Sequence, residues 1–79
     1  MIYRVLIVDD EKSIGHSLCE GLGDLGYQAA AALSGREALA RMADFRPHFV
    51  FLDLRLGSDN GLEVLSALIK LDPEVIVFM

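Results

Sequence analysis

Three runs of apolar residues, Val5 to Val8, Phe49 to Leu52 and Val75 to Met79, are too short for helices. They also lack the polar alternation of a sheet face open to water. Runs of this kind are strands covered on both faces, and a parallel sheet flanked by helices is the arrangement that covers them. Parallel neighbours must be joined by crossovers of a dozen or more residues, and the intervals between the runs carry helical patterns. Ile14, Leu18, Leu22 and Leu25 lie on one stripe of a first helix that Gly23 or Gly26 can end, although Gly15 and Gly21 inside it oppose helix formation. Ser34-Gly35-Arg36-Glu37 fits a capping box and opens a second helix at about Gly35, with Ala38, Leu39 and Met42 inward and Pro47 beyond its end. Asn60-Gly61-Leu62-Glu63 repeats the device for a third helix, with Leu62, Leu65 and Ile69 inward, which stops at about Leu71 ahead of Pro73. Tyr27 to Leu33 contains four consecutive alanines, which favour helix intrinsically, yet the alternation of elements predicts a strand there.

The order β-α-β-α-β-α-β predicts an α/β fold, a doubly wound parallel sheet with right-handed crossovers. No internal repeat or linker interrupts it. Seven Lys and Arg against twelve Asp and Glu give a net charge of −5, which repels phosphate backbones and argues against nucleic-acid binding by this segment. The one cysteine, Cys19, excludes a disulfide framework and reads as a small core residue, which fits a cytoplasmic location. The opening residues Met1 to Val8 lack a basic region, a long apolar stretch and a cleavage site, so they predict neither a signal peptide nor a membrane span. His16 and His48 have no metal-ligating partners at recognised spacing, and Met42 and Met79 read as core filler. Three helices cover one face of such a sheet thinly, and the chain stops on an apolar strand. The expectation is therefore one domain over residues 1–79, ending after its fourth strand, that forms a homodimer or exchanges elements between chains. The contact surface would be the fourth-strand edge or the open face beside Ile14, Leu18 and Leu22.

In an open parallel sheet, ligands bind beyond the carboxyl ends of the strands, where strand order reverses. Asp9 and Asp10 leave the first strand and Asp53 leaves the third. With the second strand outside, in a 2-1-3-4 order, these acids converge. Like charges about 4 Å apart repel by about 4 kcal/mol at an effective dielectric near 20, so the trio calls for a cation, and Mg2+ suits it. Neither a P-loop nor a G-x-G-x-x-G follows the first strand, which removes the backbone cradle for a nucleotide. The chemistry left is a carboxylate that accepts a phosphoryl group, with Asp53 as nucleophile and Asp9 and Asp10 as a metal-holding pair.

Together, I-V-D-D-E at 7–11, F-L-D-L-R-L at 51–56 and N-G-L-E-V-L at 60–65 resemble the receiver domain of two-component response regulators. The resemblance runs along the whole chain and covers the N-terminal two-thirds of that domain. It implies a flavodoxin-like sheet in 2-1-3-4 order, without the fifth strand and last helices. By the same resemblance Asp53 is the phospho-acceptor, Asp10 a direct Mg2+ ligand, Asp9 a ligand largely through water, and the backbone carbonyl of Arg55 the remaining ligand. The implied partner is a sensor histidine kinase and the implied output transcription regulation, with at most self-phosphorylation and autodephosphorylation as activity. The Arg55 side chain is expected in solvent, and Glu11 near a helix N-terminus. Leu56-Gly57-Ser58-Asp59-Asn60-Gly61 lacks the proline common in the family after the acceptor, which should loosen that loop. The family's switch Ser or Thr and its Lys fall past Met79. The alternative is a non-catalytic association module with a degenerate or incomplete receiver fold, and magnesium binding with acyl-phosphate formation separates the two.

Overall fold

A computed structural model describes residues 1–57 and 59–79; Ser58, read above as a loop residue, lies outside the described residues. The elements in chain order are β1 (Arg4–Val8), α1 (Lys12–Asp24), β2 (Gln28–Ala32), α2 (Gly35–Asp44), β3 (Phe49–Leu52), β4 (Arg55–Leu56), β5 (Asp59–Asn60), α3 (Gly61–Leu71) and β6 (Ile76–Phe78). Four strands form one sheet in the order β2-β1-β3-β6, every neighbouring pair parallel. This is the 2-1-3-4 order, with β6 as the fourth strand. The short β4 and β5 form a separate antiparallel pair, Arg55 opposite Asn60 and Leu56 opposite Asp59.

Covering on both faces is complete at the centre of the sheet, where Val5, Leu6, Ile7 and Val8 are all buried. Leu6, Val8, Ala32, Val50 and Leu52 share one face with Ala38 and Met42 of α2 and with Val64 and Leu68 of α3, and this is the main core. The alanines of β2 take the strand conformation because all five of its residues pair with β1, tertiary pairing outweighing local propensity. The two caps form as expected. Ser34 Oγ accepts the Glu37 N–H at 3.1 Å, and Asn60 Oδ1 accepts the N–H groups of Leu62 and Glu63 at 2.9 and 3.3 Å.

Three side-chain expectations need correction. The inward row of α3 is Gly61, Val64 and Leu68, with Leu65 beside it, whereas Leu62 is 62% exposed and Ile69 also faces outward. Met79 is 69% exposed and fills no core. Cys19 is only half-buried; burial still pushes its thiol above the ordinary value. The single buried residue of α1 is Gly15, where a Cβ would stand 3.1 Å from the Ala31 Cβ, so this glycine is the point of contact between helix and sheet. The leucine stripe of α1 accordingly lies beside the sheet with Ile14, Leu18 and Leu25 exposed, and Phe51 and Phe78 are exposed on the same side. The thin covering expected of that face is what is found.

Candidate functional site

The acids that leave β1 and β3 are held at their backbones by the last rungs of the sheet. The Asp9 N–H donates to the Ala32 carbonyl at 3.1 Å, and the Asp53 N–H donates to the Val8 carbonyl at 2.9 Å. Both residues are half-buried, and each folds one carboxylate oxygen back onto the chain two residues on. Asp9 Oδ1 accepts the Glu11 N–H and Asp53 Oδ1 accepts the Arg55 N–H, both at 2.9 Å. Such local bonds are what aspartate favours where a strand turns into a loop. They fix the carboxylates and leave the second oxygen of each for another partner.

Asp10 is exposed and joins them: one oxygen from each of Asp9, Asp10 and Asp53 lies within 4.8 Å of the others. The sheet order brings the three together, since β1 and β3 are adjacent and in register through Val8 opposite Leu52. All donors are hard carboxylate oxygens, the set that suits magnesium or calcium and not a soft metal. Like charges at this spacing repel, and a divalent cation among them would offset that repulsion. Glu11 stands at the N-cap of α1 without a side-chain capping bond, and the Arg55 side chain is exposed, both as expected.

Two glycines shape the loop beyond Asp53, and neither role has a signal in the local sequence. Gly57 has φ +60, a left-handed conformation that favours glycine, and a Cβ there would lie 3.7 Å from Asp10 Oδ2, so this turn sits beside Asp10. At Gly61 a Cβ would stand 2.5 Å from the Leu54 Cα, a distance no side chain tolerates, so only glycine lets α3 begin against the loop backbone. Leu56 is buried in the main core. The described residues on either side of Ser58 pair as β4 and β5. Of the two histidines, His16 lies on the surface beside Glu20 and His48 accepts the Arg4 N–H through Nδ1 at 2.9 Å, away from the acids. Among the described residues no helix is long and apolar enough to cross a membrane.

Comparison with known proteins places this geometry. The profile of the response regulator receiver domain matches residues 5–79. The transcriptional regulatory protein PrrA of Mycobacterium tuberculosis is 38% identical over 72 residues, which are 91% of this chain and 31% of PrrA. The chain thus spans less than a third of that relative. The chemotaxis protein CheY4 of Vibrio cholerae superposes with a TM-score of 0.89 at 29% identity, over 98% of this chain and 66% of that one. A response regulator protein from Burkholderia pseudomallei superposes with a TM-score of 0.89 at 31% identity, over 95% of this chain and 44% of its own. Its crystals contain a phosphorylated aspartic acid, a calcium ion and citrate. With the fold, the strand-end acids and the profile in agreement, the chain belongs to the response regulator receiver domain family.

Proposed function

We propose that this domain accepts a phosphoryl group on Asp53 from a phosphohistidine of a sensor histidine kinase, in magnesium-dependent two-component signalling in the cytoplasm. The observation that carries the reading is the convergence of Asp9, Asp10 and Asp53 at the carboxyl ends of β1 and β3. The phosphorylated aspartic acid and calcium ion of the Burkholderia pseudomallei relative support it. In the reaction, the Asp53 oxygen not engaged by the Arg55 N–H attacks phosphorus. The P–N bond breaks, its electron pair stays on the imidazole, which takes a proton from water, and Asp53 becomes a mixed anhydride. Asp10, Asp53 and the Arg55 carbonyl would hold magnesium, with Asp9 acting through water, and the ion when bound neutralises charge on the phosphoryl oxygens. Transcription regulation, as in the relative PrrA, is the output we assign to a longer protein carrying this domain. The segment's own net charge of −5 keeps it off DNA. Acetyl phosphate with magnesium tests the reading. One acid-stable, base-labile phosphoryl group should form, and chelation of the metal or Asp53→Asn should abolish it; labelling that survives either change refutes the assignment.

A second reading, an association module, is favoured by the open face. Leu18 of α1, Leu25 at its C-cap, and Phe51 and Phe78 of the sheet leave there an apolar surface of the kind that marks contact sites. Among the described residues β6 is an edge strand of the sheet, and an edge is where another strand can pair. Sedimentation velocity separates the readings when combined with the labelling above: a dimer or larger species that forms no acyl phosphate supports association alone.

A further inference from the structure

The β4–β5 pair is fastened at both ends. At one end Asp53 Oδ1 accepts the Arg55 N–H at 2.9 Å, which ties β4 to the acceptor carboxylate. At the other, Asp59 Oδ2 accepts the N–H of Gly35 at 2.8 Å, across 24 positions of sequence. Gly35 is the first residue of α2, and its N–H is one of the donors that a helix leaves without an internal partner. Ser34 already caps the Glu37 N–H, so Asp59 is a second cap, supplied by a different element and carrying a charge of the sign that a helix N-terminus favours. There is no slack around this contact. Gly35 is buried, and a Cβ on it would stand 2.5 Å from Val64 Cγ2, so α2 starts hard against α3.

We propose that Asp59 is a positioning residue for phosphoryl acceptance: by holding β5 on the N-terminus of α2, it fixes β4 and with it the Arg55 peptide beside Asp53. The proposal rests on the acceptor role given to Asp53 above. Its chain of contacts is continuous, from Gly35 N–H to the Asp59 carboxylate, through the Leu56–Asp59 and Arg55–Asn60 pairs, to the Arg55 N–H on Asp53. Asp59 does not join the Asp9, Asp10 and Asp53 cluster and so acts through the loop alone.

The test uses the 79-residue chain with three variants, acetyl phosphate with magnesium as the probe, and amide hydrogen exchange as a second readout. Asp59→Ala removes the acceptor, Asp59→Asn keeps an oxygen at the same place, and Asp59→Glu keeps the charge but moves the oxygen by one methylene. In Asp59→Ala the Gly35 and Arg55 amides should exchange roughly tenfold faster relative to Leu6 and Ile7, and Asp53 should be labelled about tenfold more slowly at saturating donor, the size of one charge-assisted hydrogen bond. Asp59→Asn should recover most of both effects, and Asp59→Glu should fall between. Arg55 exchange that merely follows Leu6 and Ile7, or a labelling rate unchanged in Asp59→Ala, overturns the proposal, because a simple cap would destabilise the domain evenly. A wild-type chain that accepts no phosphoryl group overturns the acceptor reading instead, and Arg55 exchange against Leu6 and Ile7 then decides by itself whether Asp59 fixes β4.

Discussion

Replacing Asp10 by asparagine should make the metal-free domain more stable while removing its response to magnesium. One oxygen from each of the three carboxylates lies within 4.8 Å of the others. At that distance a pair of unit charges repels by about 0.9 kcal/mol in bulk water and by about 3.5 kcal/mol at an effective dielectric of 20. Asp10 is exposed, so the water-like figure applies. Asp9 and Asp10 are chain neighbours and repel in the unfolded state too, which leaves the contact with Asp53 as the part that folding creates. The expected gain is then about 1 kcal/mol, or a Tm higher by about 4–8 °C for a domain of this size. Asp53→Asn relieves two contacts, with Asp9 and with Asp10, and should gain about twice as much by the same reckoning. Magnesium reverses the order. At a hundred times its Kd the metal stabilises wild type by about 2.7 kcal/mol, and it should do far less for either variant. Differential scanning calorimetry in chelator, in magnesium and in about 1 M salt, where the Debye length is near 3 Å, reads all three expectations. A variant less stable than wild type in chelator, or a gain that survives high salt undiminished, refutes the electrostatic account of the site.

The register of α3 gives a contrast within one helix: Leu68→Ala should cost about 2–5 kcal/mol, because Leu68 is fully buried, whereas Leu62→Ala should change stability by less than about 0.5 kcal/mol in urea unfolding. Equal costs would contradict the packing described. The open face predicts self-association that weakens when it is made polar: Phe78→Lys should shift sedimentation toward monomer, and an unchanged distribution would place the contact elsewhere.

Much of this was legible in the sequence because the strongest signals are local. Val5 to Val8 and Phe49 to Leu52 read as doubly covered strands since each position is apolar whichever face it takes, and Ser34 and Asn60 announce helix starts through their own side chains. The acids could be placed because they stand at strand ends, with the strand order that brings them together supplied by the family resemblance. Errors arose where packing follows closeness and not bulk. In α3 the large residues Leu62 and Ile69 were read as inward, but the helix lies so near the Leu54 backbone that Gly61 and the row in line with it face the core. In α1 the glycine that weakened the helical pattern is the residue that touches the sheet. The short β4 and β5 strands and the bond from Asp59 to Gly35 carry no local signature, since each depends on a partner set by the tertiary fold.

Where the phosphoryl group sits can be read chemically on the chain itself. The chain is treated with acetyl phosphate and magnesium, the acyl phosphate is trapped by borohydride reduction, and the peptides are sequenced by mass spectrometry. Reduction should fall on a single side chain, Asp53, with none in Asp53→Asn and none when magnesium is chelated. Modification at Asp9, Asp10 or a histidine, or at Asp53 independently of magnesium, would contradict it.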